Sequence, residues 1–277
     1  MGITIRPIKL SNSKTALIIR IPKSWNSPHC VSFKKSYKFY GRNSNGKYLL
    51  DVGELRIAFN LSETISEKIR QFRIDRISRI ISGETPILLS DTAKIVLHLI
   101  PFISFNPGQN YDINKIYWNS EIISQVYSIR PNRRHNFDGL LYYLSSPPEN
   151  KSYFYVQIFK NGIIEAVDGI LNPSLLISNA EFKKKLINSL PHYLEVFKTL
   201  NVEFPMFMFI SLLGVKGYSM AVDSYSFSPG EGCPIDRDIL LLPEVIIENY
   251  NVEPKSVLKP CFDSIWNACG FPMSPKL

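Results

Sequence analysis

The chain has 277 residues, 45% of them apolar and 12% aromatic, and 32 Lys and Arg against 24 Asp and Glu leave it a net charge of +8. That composition can bury a large core and excludes a disordered chain, while the basic balance points to a polyanionic partner. The longest apolar run, PMFMFISLLGV from Pro205 to Val215, is well short of the ~20 residues of a membrane span, and MGITIRPIKL has neither a signal peptide's apolar core nor a Ser or Thr at Arg6 for myristoylation, so a cytoplasmic protein is expected.

The first third is basic and reads as β-rich. Residues 1–85 hold 16 Lys and Arg against 6 Asp and Glu, and the rest of the chain 16 against 18. Ile3–Leu10 and Thr15–Pro22 are β-branched runs around the polar stretch Ser11–Lys14, and Val31–Phe33 and Tyr37–Tyr40 flank Lys34-Lys35-Ser36, so two hairpins are predicted. Asp51 and Glu54 have capping-box spacing and open a short helix to Phe59. A second helix is expected over Ser62–Ile81, with Thr64 and Glu67 as another box. Its apolar residues occupy two faces, Ile65, Ile69, Phe72 and Ile80 on one and Ile74, Ile77 and Ile81 on another, with Lys68, Arg70, Arg73, Arg76 and Arg79 threaded among them. Such a helix packs on two sides, its basic stems over apolar surface and their heads in water. Gly83–Pro86 then punctuates the chain and, with the charge shift, divides it into residues 1–85 and 86–277.

Beyond that point Lys94–Phe102, KIVLHLIPF, is a buried-strand run, and Arg130–His135 is a basic loop read as a linker in preference to a second phosphate contact. YFYVQIFK and IIEAVD around Asn161-Gly162 predict a hairpin with a type I′ turn. A helical region begins at Asn172-Pro173 and runs to Leu200, with a kink near Pro191. Strands follow at Phe204–Leu213 and Gly217–Val222, then a loop over Ser224–Pro234, a strand over Ile239–Glu248 that Pro243 places at an edge or bulge, and a helix over Pro254–Cys269. Strands and helices mix without strict alternation. The expected class is therefore α+β: a basic, β-rich half-domain with two helices, then a larger mixed α+β domain.

No P-loop, GxSxG or HExxH motif is present. Cys30, Cys233, Cys261 and Cys269 form no CxxC and have no His at metal-ligand spacing, so no zinc ribbon, disulfide framework or cofactor is expected. His29 and Cys30 are neighbours on a strand, point to opposite faces and cannot act as base and nucleophile. His98 reads as a hydrogen-bonded core histidine, and Cys261 with Cys269 as a core stripe. Asp223, Glu231, Asp236, Asp238, Glu244 and Glu248 lack a fixed spacing and read as a solvated edge, not a hydrolytic metal site. The best site candidate is Arg20–Lys47, where cations interleave with aromatics: cations neutralise phosphates and exposed rings stack on bases. Arg20, Lys23, Trp25, Lys34, Lys35, Tyr40, Arg42 and Lys47 are the expected nucleic-acid contacts.

ALIIRIPKSWNSPH, Ala16–His29, followed by KFYGRNSNGKYLLDVGELRIAF, Lys38–Phe59, resembles the second half of the Schlafen AlbA-like DNA-binding domain. That family's late signature is a strand ending in a Ser- and Pro-containing loop, then a Tyr-x-Arg-x-Gly element; the matching positions are Ser24, Pro28, Tyr40 and Arg42, with Ser44 where Gly is usual. VQIFKNGIIEAVDG, PIDRDILLLPEVIIE and IWNACGFPMS look like the region that follows this domain in bacterial proteins of unassigned role. The resemblance implies nucleic-acid binding, with DNA favoured over RNA, in regulation or defence. The acidic catalytic residues of RNA-cutting relatives lie largely in the domain's first half, upstream of the strands seen here, so the resemblance argues against an autonomous nuclease. The alternatives are a partner-dependent component of an RNA-processing nuclease and a protein- or ligand-binding module. The first strand is expected to be an open sheet edge, met by self-association or by a separate N-terminal polypeptide that completes the sheet.

Overall fold

A computed structural model describes residues 4–21, 27–118, 123, 126, 130–146, 151–170, 175–221 and 232–275. They fall into two compact units, residues 1–71 and 72–277. In the first, β1 (Thr4–Lys9) pairs antiparallel with β2 (Thr15–Arg20), and β3 (Cys30–Phe33), β4 (Ser36–Asn43) and β5 (Gly46–Leu49) form an antiparallel meander. Both predicted hairpins are present, and β5 adds a third strand to the second of them.

The two predicted helices are one, α1 (Val52–Ile81), which carries the chain from the first unit into the second. Its start is the expected capping box: Glu54 N–H donates to Asp51 Oδ1 at 2.7 Å and Asp51 N–H to Glu54 Oε2 at 3.0 Å. No Gly or Pro interrupts residues 54–81, so Thr64 and Glu67 sit in mid-helix and cap nothing. The unit boundary at Gln71–Phe72 precedes the expected Gly83–Pro86 because the last turns of α1 lay Ile77 and Ile80 on the second unit's sheet.

That sheet is wholly antiparallel. Its strands are β6 (Ala93–Pro101), β7 (Asn132–His135), β8 (Gly139–Ser146), β9 (Lys151–Phe159), β10 (Ile164–Ile170), β12 (Met206–Leu213), β14 (Ile239–Leu241) and β15 (Val245–Ile247), in the order β14-β12-β6-β10-β9-β8-β7 with β15 also on β12. The short strands β11 (Leu176–Ser178) and β13 (Ser219–Ala221) pair in parallel apart from it. One face meets α3 (Asn179–Leu200) and α4 (Pro254–Ala268) through residues such as Leu97, Val156 and Ile210; a short helix, α2 (Asn114–Trp118), adds Ile116 to this core. The other face takes Val96, Leu141, Tyr155 and Val167 against Ile77 and Ile80. Burial on both faces explains why the central strands read as continuous apolar runs and not as alternating ones.

Several local expectations need correction. Arg130–His135 is no linker: β7 is the sheet's edge strand, Arg133 lies 4.5 Å from the Tyr117 ring centroid, and Arg134 donates to Pro86 O at 2.9 Å. The Asn161-Gly162 turn is not type I′, because only Gly162 takes a positive φ, of 90°; Gly162 N–H closes onto Phe159 O at 2.9 Å. The expected strand Ile239–Glu248 breaks into β14 and β15 around Pro243, which has no N–H to offer the ladder. The expected helix start at Asn172-Pro173 lies outside the described residues; Leu176–Ser178 is β11, and α3 starts at Asn179, where Ser178 caps it by accepting from Glu181 N–H. Pro191 lies within that helix and Cys269 caps α4.

The basic residues of α1 depart furthest from expectation. Arg73 and Arg76 do not keep their heads in water; both are buried. Arg76 makes a bidentate pair with Glu165 at 2.8 and 2.7 Å, and the same fully buried carboxylate accepts from His98 Nε2 at 2.8 Å and from the Tyr155 hydroxyl at 2.7 Å. Burial alone would push the Glu165 carboxyl up. The hydrogen bonds from Arg76 and His98, with the positive charge beside them, outweigh burial and hold it at about 2. His98 is thus the bonded core histidine that was expected, although its Nδ1 is buried without a partner among the described residues. Arg73 donates to Ser211 Oγ at 3.1 Å and to the carbonyls of Ile210 at 2.7 Å and Leu242 at 3.3 Å, and burial lowers its guanidinium to about 10. Cys261 and Cys269 are buried as expected, and burial pushes both thiols up to about 11. Among the described residues no helix is long and apolar enough to cross a membrane.

Candidate nucleic-acid interface

By unit, residues 1–71 hold 13 Lys and Arg against 4 Asp and Glu, and residues 72–277 hold 19 against 20. Residues 1–50 contain ten Lys and Arg and no Asp or Glu. Arg73 and Arg76, counted with the first third, are internal to the second unit. The net positive charge therefore belongs to the first unit.

Within β3–β4–β5 the register sorts the side chains. Cys30 faces Phe39, Val31 faces Lys38 and Phe33 faces Ser36 across β3–β4, while Tyr40 faces Leu49, Gly41 faces Tyr48 and Arg42 faces Lys47 across β4–β5. Opposed residues share a face and successive residues alternate. One face holds Phe39, Gly41 and Tyr48 and meets the first turns of α1: the Phe39 and Phe59 rings are 6.0 Å apart, and Tyr48 donates to Glu54 Oε1 at 3.1 Å. Gly41 permits this, since a Cβ there would lie 2.7 Å from the Tyr48 ring. Glu54 in turn raises the Tyr48 phenol, first through their hydrogen bond and then through its charge.

The opposite face carries Val31, Phe33, Lys38, Tyr40, Arg42, Lys47 and Leu49, and each of these side chains is exposed. Arg42 and Lys47 are directly opposed like charges, an arrangement that costs stability. Lys47 Nζ sits 5.3 Å from the Tyr40 ring centroid and Lys34 Nζ 5.4 Å from that of Phe33. Lys34 and Lys35 form the β3–β4 turn with φ of 47° and 62°. Both central residues of a type I′ turn need positive φ, and Asn-Gly, not Lys-Lys, is the low-strain choice. Two cations held there at a conformational cost, with an opposed cation pair at the other end of β4, form a surface that a polyanion would relieve. The β4–β5 turn avoids such strain: Asn43 Oδ1 accepts from Asn45 N–H at 2.9 Å and Gly46 takes the positive φ of 116°. The glycine that the turn needs is two places after Ser44.

Of the expected contacts, Tyr40, Arg42 and Lys47 come together on the open face, with Lys34 and Lys35 at its tip. Arg20 ends β2 opposite Thr4. Its side chain, and Lys23 and Trp25 entirely, lie outside the described residues. Phe33 and Lys38 were not among the expected contacts and belong to the same face. Lys38, Tyr40 and Arg42 recur at every second position, a signal that becomes readable once β4 is known to be a strand.

Asp236 is exposed and paired with Arg237 at 2.7 Å, and among the described residues no three His, Cys, Asp or Glu side chains could hold a metal ion together. Asp223 and Glu231 lie outside the described residues. Comparisons with known protein families, with curated proteins and with solved structures return no match.

Proposed function

We propose that the chain is a nucleic-acid-binding protein, with DNA as the favoured polymer, and that its first unit carries the binding. The observation that supports this most is the open β3–β4–β5 face with its tip: Lys34, Lys35, Lys38, Arg42 and Lys47 stand in a stretch of fifty residues with no carboxylate side chain. Such a face neutralises phosphates and releases their counterions. The resemblance of Ala16–His29 and Lys38–Phe59 to the Schlafen AlbA-like domain points the same way and suits a regulatory or defence role. Amide-shift mapping of the full chain against a short DNA oligomer tests it. Perturbations should concentrate in residues 33–47, and perturbations confined to residues 72–277, or none, would contradict it.

The same unit associates through its β1–β2 hairpin, with a second copy or with a separate polypeptide that adds a strand. Ile5 faces Ile19 and Pro7 faces Leu17, and Ile5, Leu17 and Ile19 are each more than half exposed. A two-stranded hairpin with its apolar residues in water is marginal by itself, and its edges recruit other strands. Light scattering of the purified chain should give a mass above one chain, or else a monomer whose Thr4–Lys9 amides exchange fast. A monomer with protected amides there would show that the edge is already covered.

A further inference from the structure

A duplex and a single strand offer a protein different surfaces. Stacking hides the base faces of a duplex and leaves phosphates and groove edges, whereas a single strand presents base faces that aromatic rings can cover. The open face of the meander is built for the second. Phe33 is 69% exposed and Tyr40 39% exposed, both on the side away from α1. Phe33 stands opposite Ser36, and Tyr40 is four residues further along β4, which separates the two positions by ~14 Å at ~3.4 Å per strand residue. Neighbouring bases in a duplex strand are ~3.4 Å apart, so rings at this spacing match bases that have come out of the stack. Each ring also has a lysine ammonium beside it, at 5.4 Å for Phe33 and 5.3 Å for Tyr40, and Lys38 and Arg42 flank Tyr40 on the same face. Ring and cation are thus interleaved over the face, Phe33 with Lys34 at the end of β3 and Tyr40 between Lys38 and Arg42 on β4.

We infer that this face is a stacking platform for single-stranded nucleic acid, with Phe33 and Tyr40 covering bases and Lys34, Lys38, Arg42 and Lys47 following the phosphates. The inference rests on the reading of the first unit as the nucleic-acid-binding part and names the form of polymer that it takes. Tyr37 supplies an internal control. It is 73% exposed and belongs to the same hairpin, but it faces Ser32 on the other side of the sheet.

The test is fluorescence anisotropy of the full chain with labelled oligo(dT), oligo(U) and a DNA duplex of equal length. Both single strands should bind more tightly than the duplex, and the difference between them reports whether the sugar is read. Phe33→Leu and Tyr40→Leu should each weaken single-strand binding about tenfold, within the range for loss of one base stack. Tyr37→Leu and the ring-keeping changes Phe33→Tyr and Tyr40→Phe should leave it unchanged. Should the leucine variants lose their fold, photocrosslinking of an iodouracil-substituted strand to the unaltered chain decides the point, with crosslinks expected at Phe33 or Tyr40. Tighter duplex binding together with indifferent ring variants would overturn the platform while leaving the first unit as the nucleic-acid-binding part, whereas crosslinks confined to residues 72–277 would overturn both. Failure of all three oligomers to bind would overturn the underlying reading as well.

Discussion

Glu165→Ala is expected to destabilise the protein by about 3–5 kcal/mol, the cost of leaving a buried charge without its partner. The carboxylate is fully buried and accepts four hydrogen bonds, two from Arg76 and one each from His98 and Tyr155. Its removal strands a guanidinium between α1 and the sheet, where water cannot replace the lost contacts. The pH dependence has a definite sign. The folded carboxyl sits at about 2 against an ordinary 4.5, so its contribution is present above the unfolded value and is lost as pH falls from about 4.5 towards 2. Urea denaturation of the full chain at neutral pH and at about pH 3 checks both statements: the midpoint of the alanine variant should be much lower than that of the unaltered chain at neutral pH, and the gap should narrow in acid. An unchanged midpoint would mean that the pairing with Arg76 contributes nothing to stability.

What could be read from the chain beforehand follows the range of the interactions involved. The Asp51–Glu54 box is local, and it appears where its spacing put it. The runs around Lys94–Phe102 and Phe204–Leu213 are apolar on both faces of a sheet, which makes them legible without a partner. Arg76 is the opposite case. Its partner lies 89 residues away on β10, so nothing near Arg76 distinguishes it from the exposed Arg79 three positions on. The strand β8 (Gly139–Ser146) shows no alternation because Leu140 and Tyr142 are buried on one face of the sheet and Leu141 on the other. The candidate site was half legible. Cations and aromatics were visible in Arg20–Lys47, but their sorting into one face needs the pairing of β4 with β5. Phe33 was passed over for the same reason, because a phenylalanine at a strand end looks like core until the strand is seen to bury nothing on that side.

The basic tip allows charge to be removed without loss of the fold. In the combined variant Lys34→Asn, Lys35→Gly and Arg42→Gln, the first two changes install the residues that a type I′ turn prefers at the φ values of 47° and 62° seen here. A non-glycine residue in that region carries a cost of about 1–2 kcal/mol, so the stability of the variant should hold or rise. The third change removes one of the two opposed cations on β4 and β5. Binding should move the other way. Each lost phosphate contact lowers the slope of log affinity against log salt by about 0.9 on duplex DNA and about 0.7 on a single strand. Salt titration of the full chain and of this variant against the same oligomer, with thermal unfolding in parallel, is therefore the most direct measurement of whether the first unit carries the binding. The account predicts a steep slope for the unaltered chain and a variant slope smaller by about two to three contacts with no loss of stability; equal slopes in the two proteins would contradict it.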